Sequence, residues 1–195
     1  GESVTFLRRA AADPAAWEPT GHARNFDVTR TCADVRVDLS RGRSLGSDPT
    51  PGLLFGLLVA ADAVGGAQRA LARTIDYAKE RIAFGKPIGG FQAVQHRLAD
   101  HAVRLRGIEL LVAEAATAIG DGDPSARRTT LLAEINTSSA IPNLLHDLVQ
   151  LTGGVGFTWE YGLHHYGRRA HQDALLGANP RRAQQLLAAE EAWVR

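Results

Sequence analysis

The chain has 195 residues, which is enough for one large domain or for one domain and a fragment of another. Its 22 basic and 21 acidic residues leave a net charge of +1, so no overall field favours binding to nucleic acid or to a charged membrane surface. Cys32 is the single cysteine, which excludes an intrachain disulfide and makes a reducing, cytoplasmic location the expectation.

Short β-prone runs stand at the start of the chain. Residues 3–7 and 32–39 are rich in β-branched and other apolar residues, and Val35 and Val37 alternate with polar neighbours as on a half-buried strand. Two or three strands cannot form a stable sheet alone. Residues 1–49 are therefore predicted to be a partial β-domain segment and a linker, whose partner strands come from elsewhere.

A long helix is predicted next, from about residue 51 to residue 83. Thr50 is the predicted N-cap and Pro51 takes the first helical position. Apolar residues then recur every three or four positions and form one stripe. Gly56 and the pair Gly65–Gly66 interrupt this helix, at about 1 kcal/mol each relative to alanine. We therefore expect another helix or a ligand to approach the backbone closely at these glycines.

Four further helices are predicted after breaks rich in glycine, proline and aspartate. They span about 91–118, 125–151, 159–175 and 180–193. Ser125 or Asp123 caps the second of these, Pro142 is expected to kink it, and Asn179 caps the last. Long helices joined by short loops predict a mainly α fold, an antiparallel four- to five-helix bundle over residues 50–195.

The sequence lacks the common catalytic and nucleotide-binding signatures. It has no Walker loop, no His/Cys metal-ligand spacing and no serine nucleophile elbow, so no metal site is predicted. The glycines of residues 153–156 follow a helix rather than a strand, which disfavours a Rossmann turn. No uninterrupted apolar run reaches about 18 residues, so no membrane span is predicted.

Two stretches at helix ends remain as candidate binding sites. The first is "ERIAFGKPIGGFQ" at residues 80–92. Arg81 could complement the helix C-terminus and Phe84 could be a core side chain, or both could contact a ligand.

The second stretch is "QLTGGVGF" at residues 150–157. Its glycine pair, Gly153–Gly154, has two interpretations. One is an ordinary glycine C-cap of the preceding helix. The other is bare backbone that lets a ligand approach closely.

Together, residues 77–100 and 150–170 resemble the acyl-CoA dehydrogenase family in order, spacing and helical context. The resemblance covers about residues 50–190 and implies the family's C-terminal helical domain, while residues 1–46 resemble the end of its middle β domain. It also implies FAD as cofactor, bound across a subunit interface in dimers or tetramers. An acyl-CoA substrate and electron-transfer flavoprotein, as a candidate partner, are implied in the same way.

The resemblance assigns cofactor-binding roles to six residues. Arg81 matches the arginine that meets the FAD diphosphate of the neighbouring subunit, an anion that a guanidinium fork suits. Phe84 matches an aromatic residue packed on the cofactor, and Gln92 matches a residue that contacts its nucleotide portion. The segment that takes the ADP end of the partner's cofactor is matched by Gln150, Gly153 and Gly154.

The family's catalytic glutamate has no match in this chain. Gly177 and Phe55 occupy the two positions where family members place it, so no catalytic residue is predicted. Neither residue can accept a proton. The carboxylates that could substitute for the missing base are Glu160, Asp173 and Asp62.

Three functional hypotheses remain open. In the first, the chain is a FAD-linked subunit of an actinobacterial type of heteromeric acyl-CoA dehydrogenase, which residues 153–170 resemble. Its α2β2 partner supplies the base for α,β-dehydrogenation of acyl-CoA thioesters, including bulky ones with sterol side chains. In the second, the chain is a non-catalytic assembly module with a vestigial flavin site. In the third, it is the C-terminal fragment of a full-length enzyme.

Overall fold

The structure is a computed structural model that describes residues 17–22, 25–31, 33–38, 40, 48–177 and 180–191. Within these ranges, β1 (Trp17–His22) and β2 (Ala33–Val37) pair in antiparallel fashion, with a register shift between Pro19 and Gly21. The strand predicted at residues 32–39 is confirmed by β2. The run at residues 3–7 lies outside the described residues.

Five helices account for most of the described chain. They are α1 (Thr50–Glu80), α2 (Gln92–Gly120), α3 (Ala126–Thr152), α4 (Leu163–Leu176) and α5 (Pro180–Glu190). The predicted mainly α bundle is therefore confirmed.

Several helix boundaries differ from their predictions by one to four residues, and two of these differences have a clear local reason. The first helix ends three residues early because the chain turns into a small antiparallel hairpin, β3 (Ile82–Ala83) and β4 (Lys86–Pro87). The fourth begins four residues late because Gly162, at φ 67°, adopts a left-handed conformation immediately before α4. Residues 153–157 form a short 3-10 helix instead.

The start of α1 differs from its prediction, whereas the start of α3 involves the two predicted residues. Pro49, not Thr50, holds the N-cap position of α1, and Asp48 Oδ1 accepts a hydrogen bond from the Thr50 backbone N–H at 2.9 Å. At α3, Ser125 holds the N-cap position while Asp123 Oδ1 accepts from its N–H at 2.7 Å. Pro142 lies inside α3, which continues unbroken to its end. The predicted cap Asn179 lies outside the described residues.

The main core forms where α3 packs against α1, α2 and α4. Large aliphatic side chains on α3 are almost fully buried, notably Ile141, Leu144, Leu145 and Leu148. Each such side chain stabilises the fold by about 1.5–3 kcal/mol relative to an exposed one. The facing stripe of α1 is mostly alanine, which allows the two helices to lie close together.

Another helix approaches the α1 backbone closely, as predicted, at two of the three glycines. A Cβ atom at Gly56 would collide with the carboxyl group of Glu134 on α3, and one at Gly66 would lie 3.5 Å from the Tyr166 ring on α4. The expectation is wrong for Gly65, which faces open space.

By length and composition alone, α1 could also cross a bilayer. The central helix of a folded bundle shares this length and composition, and α1 supplies a full stripe of the core.

Candidate functional site

The two candidate stretches meet in one groove on the surface of the bundle. The groove, of about 560 Å³, lies where the end of α1 approaches the end of α3. Four of the six predicted cofactor-binding residues line it. They are Arg81, Gln150, Gly153 and Gly154. Residues that are about 70 positions apart in sequence thus form a single binding surface.

Arg81 ends α1 through its backbone and leaves its side chain free. Its N–H donates to the Tyr77 carbonyl oxygen at 2.8 Å, which closes the helix. Its side chain is exposed, and within the described ranges its guanidinium group makes no ion pair or hydrogen bond. A free guanidinium fork in a groove suits a phosphate or carboxylate ligand.

The glycine pair at the end of α3 includes a helix C-cap and also leaves its backbone open to a ligand. Gly153 is the C-cap of α3, at φ 63°, and its N–H bonds to the Gln150 carbonyl oxygen. A Cβ atom at Gly153 or Gly154 would meet nothing within 4 Å, so the backbone faces open space. The C-cap interpretation is confirmed for Gly153, and the same bare backbone remains accessible to a ligand.

Phe84 lies at the tip of the β3–β4 hairpin and projects into solvent. Its side chain is 96% exposed, so its interpretation as a core residue is wrong. Its φ of 52° makes it the one non-glycine residue with positive φ in the described part of the chain. Such conformations are strained and persist where the surroundings impose them, often at functional sites. The ring packs edge-on against Phe91, with centroids 6.3 Å apart.

Phe84 and Gln92 are the two predicted residues that do not line the groove. Gln92 is the exposed first residue of α2, next to the same corner. Their cofactor-binding roles stay predictions. Conversely, sequence reasoning missed Tyr77 and Thr158, which do line the groove. Tyr77 precedes Arg81 by four positions, and this helical spacing was the available signal.

The two family positions for the base contain no acid. Phe55 is about half exposed on α1, and Gly177 ends α4. Beside them is a cavity of about 10 Å³, enough for a single water molecule, lined by residues that include Gly56, Glu134 and Gly177. A Cβ atom at Gly177 would lie 3.5 Å from Oε1 of Glu134. Sequence reasoning missed Glu134 because nothing distinguishes it from the other polar residues of α3.

Two of the three substitute bases belong to an ion-pair network, which we term the Arg30 cluster: Asp27, Arg30, Asp62, Arg169 and Asp173. Arg30 donates to Asp173, and to Asp62 Oδ2 at 2.7 Å. Arg169 donates to both oxygens of Asp62, at 2.6 and 2.9 Å. Asp27 is fully buried, 3.7 Å from the Arg30 Nε. The cluster joins the segment 25–31 to α1 and α4.

The pKa values in the cluster follow from these contacts. Hydrogen bonding from Arg169 lowers the pKa of Asp62, so Asp62 remains an ionised partner of the two arginines. Burial raises the pKa of Asp173 to about 6, against the opposing effect of Arg30. Both carboxylates therefore have a structural role in joining elements. Glu160, the third substitute, is exposed.

Comparisons with known proteins agree with the resemblance. Residues 56–177 match the family model for the acyl-CoA dehydrogenase C-terminal domain. The acyl-CoA dehydrogenase IpdE2 of Mycobacterium tuberculosis is 39% identical over 187 residues, which are 96% of this chain and 54% of that protein.

Two solved structures have the same fold. A variant of the Tcur3481–Tcur3483 steroid ACAD superposes with a TM-score of 0.80 at 28% identity, over 92% of this chain and 50% of that one. The ChsE4–ChsE5 complex from Mycobacterium tuberculosis gives a TM-score of 0.82 at 25% identity, over 96% and 52%. The chain thus spans about half the length of these relatives. It belongs to the acyl-CoA dehydrogenase family and contains the family's C-terminal domain.

Proposed function

We propose that the chain is the flavin-binding part of a FAD-linked acyl-CoA dehydrogenase whose catalytic base comes from a partner subunit. The observation that carries the proposal is the groove. It combines a free guanidinium group, Arg81, with the open glycine backbone of Gly153–Gly154, at a site built from both family motifs.

The groove fits the diphosphate of FAD in charge and in access. Arg81 supplies the only positive charge among the groove-lining residues, and a guanidinium group binds phosphate oxygens in bidentate fashion. The missing side chains of Gly153 and Gly154 allow close approach of a large ligand. Arg81 and the Gly153–Gly154 backbone would hold the cofactor, which would supply the acceptor for the hydride from the β-carbon of the acyl thioester.

A base must also remove the α-proton, and it has to lie within hydrogen-bond reach of that proton. Gly177 and Phe55 cannot do so, and Asp62 and Asp173 are held by arginines. Glu160 is exposed, and Glu134 is buried against the backbone of Gly56 and Gly177. We therefore assign the base to a second acyl-CoA dehydrogenase subunit, in an α2β2 assembly with electron-transfer flavoprotein as electron acceptor. The heteromeric ChsE4–ChsE5 complex supports such an arrangement by analogy.

The proposed substrate is an acyl-CoA with a bulky, sterol-derived acyl group. The steroid ACAD among the similar structures supports this class. An exposed apolar surface beside the base positions also supports it, because Phe55, Leu58 and Leu175 are 48%, 66% and 77% exposed. Apolar surface of this kind usually marks a ligand or a protein interface.

The test is to purify the chain alone and together with a candidate acyl-CoA dehydrogenase partner subunit that carries the catalytic glutamate. We expect the complex to be yellow, with stoichiometric FAD, and to oxidise acyl-CoA, while the chain alone does not. Oxidation of acyl-CoA by the chain alone would refute the partner-supplied base.

Arg81→Ala should weaken FAD binding to the complex by about tenfold or more, because a hydrogen-bonded charge on the diphosphate is lost. The thermal unfolding temperature should not change, since the Arg81 side chain makes no contact that stabilises the described fold. Arg69→Ala, an exposed arginine on the same helix, is the matched control. Equal FAD affinity in both variants would contradict the assignment of Arg81.

A non-catalytic assembly module is the second candidate function. The strained and exposed tip at Phe84 favours an interface role even without a cofactor. A complex that stays colourless after reconstitution with FAD, yet assembles normally, would favour this candidate over the first.

A further inference from the structure

On the α1 side, the groove is lined by a tyrosine that was not among the six predicted cofactor-binding residues. Tyr77 lies one helical turn before Arg81, so both side chains project from the same face of α1. Tyr77 is half-buried, and its hydroxyl makes no hydrogen bond to any residue that the structure describes. A phenolic hydroxyl at the wall of a groove can donate a hydrogen bond to a ligand bound there.

The ring of Tyr77 packs against the ring of Tyr161. The two rings meet edge to face, with centroids 5.7 Å apart and planes at 62°. Unlike Tyr77, Tyr161 has its hydroxyl engaged, donating to the Arg73 carbonyl oxygen at 3.0 Å. Burial raises the pKa of Tyr161, so this hydroxyl keeps its proton at neutral pH.

Arg73 completes what we term the Arg73–Tyr161 brace. Its guanidinium group donates to the Tyr161 carbonyl oxygen and lies 4.8 Å above the centre of the Tyr161 ring. The Tyr161 N–H in turn donates to Oγ1 of Thr158, a residue of the opposite groove wall, at 3.2 Å. The brace therefore fixes the segment that follows Gly153–Gly154 against the helix that presents Tyr77 and Arg81.

We propose that Tyr77 is a further ligand-contact residue of the groove, donating its hydroxyl to the diphosphate of a bound dinucleotide beside Arg81. The Arg73–Tyr161 brace acts as the positioning device for Tyr77. This inference rests on the proposed function where the dinucleotide is FAD. Coenzyme A presents the same diphosphate and adenosine chemistry, so both molecules are compared in the test.

Three tyrosine-to-phenylalanine variants distinguish a ligand contact of the Tyr77 hydroxyl from a packing role of the Tyr77 ring. Tyr77→Phe removes the free hydroxyl and keeps the ring, while Tyr161→Phe removes one hydrogen bond of the brace, from the Tyr161 hydroxyl to the Arg73 carbonyl oxygen. Tyr166→Phe is the matched control, because Tyr166 is also half-buried and its hydroxyl makes no hydrogen bond in the described chain, yet it does not line the groove. These variants and the double variant Tyr77→Phe/Tyr161→Phe are made in the full chain, assembled with its partner subunit.

FAD and coenzyme A are titrated separately onto the flavin-depleted assembly, with dissociation constants and unfolding temperatures measured for each protein. We expect Tyr77→Phe to weaken FAD binding about tenfold, as for a lost hydrogen bond to a charged group. Tyr161→Phe should cause a smaller loss, and the double variant should bind no more weakly than Tyr77→Phe. A tyrosine that is merely structural would instead give losses that multiply in the double variant.

The outcomes distinguish this inference from the proposed function. A wild-type assembly that binds no FAD refutes the proposed function itself. Wild-type binding together with unchanged binding by Tyr77→Phe overturns the inference alone. A loss of affinity for coenzyme A and none for FAD keeps Tyr77 as a diphosphate contact but overturns the assignment of the groove to the flavin.

Discussion

Gly153, Gly154 and Gly156 lie within four positions of one another, yet glycine is needed there for different reasons. Gly153 has a φ of 63°, which a residue with a Cβ atom adopts only with strain. Gly154 has open space around it and leaves the backbone accessible. Gly156 is buried, and a Cβ atom there would collide with the Thr152 hydroxyl oxygen and lie 3.0 Å from the Val149 carbonyl oxygen.

Gly156→Ala should therefore lower the free energy of unfolding by about 1–3 kcal/mol, as expected for overpacking against backbone atoms. Gly154→Ala should leave the unfolding temperature unchanged and weaken FAD binding instead, because its methyl group would enter the groove. Thermal unfolding and FAD titration of both variants test these two predictions. Loss of stability in Gly154→Ala, or full stability in Gly156→Ala, would contradict this account.

Between elements, the Arg30 cluster provides the main polar connection of the segment 25–31 to the bundle. Arg30 bridges Asp62 of α1 and Asp173 of α4, and Asp27 donates its N–H to Gln172 Oε1 at 3.1 Å. The segment lies between β1 and β2 in the sequence, so the cluster anchors the connection of this strand pair to the helices.

Arg30→Ala should reduce the free energy of unfolding by about 3 kcal/mol, because it leaves buried carboxylates without their cation. Amide hydrogen exchange should rise across residues 25–31. Arg36→Ala is the control, since its ion pair with Glu18 is exposed on both sides and should contribute at most about 1 kcal/mol. Similar unfolding temperatures for the two variants would count against the cluster as a connection.

The same cluster predicts a pH dependence. The pKa of Asp173, raised to about 6 by burial, exceeds the unfolded value of about 3.9, so its contribution to stability is fully present below pH 3.9 and is lost as pH rises through 6. The lowered pKa of Asp62 has the opposite sign, with stability lost as pH falls below about 3.9. Burial lowers the pKa values of His101 and His164, so the stability that these two neutral side chains contribute to the fold is also lost as pH falls.

Asp173→Asn isolates the contribution of Asp173 from these opposing groups. The stability of the wild-type protein relative to this variant should decline between about pH 4 and pH 6 and stay constant above pH 7. Unfolding temperatures of both proteins across this range provide the measurement. A difference that is independent of pH would show that Asp173 does not titrate in that window.

At the scale of the whole molecule, the chain presents apolar and strained surface around its groove. Phe84, Phe157 and Trp159 are 96%, 66% and 64% exposed. Clustered apolar exposure with local backbone strain is typical of surface that another subunit or a cofactor covers.

Phe84→Gly tests this surface. Glycine adopts the positive φ without strain and the exposed ring contributes little to the fold, so the unfolding temperature of the chain should not fall. Association with the partner subunit, measured by sedimentation, should weaken by about tenfold if the ring becomes buried there. If association with the partner subunit and FAD binding are both unchanged, Phe84 contacts neither the partner subunit nor the cofactor.

Much of this organisation was predictable from local patterns. The apolar stripes and the breaks at Pro87, Gly122 and Gly153 set the helices, because helix periodicity and chain breakers act over a few residues. The pair of motifs identified the family and four groove residues. The four-residue spacing from Arg81 was the one local signal for Tyr77, and its contact with Tyr161, 84 residues later, depends on the tertiary structure.

The helical class, the family and the absence of a carboxylate at Gly177 and Phe55 follow from the amino-acid sequence, because each depends on local order and residue identity. The tertiary structure alone decided that Arg81 and Gly153 share a groove, that Phe84 points outward, and that Asp62 and Asp173 are bound to arginines. These facts depend on which helix faces meet. Long-range packing sets that arrangement, and no local pattern encodes it.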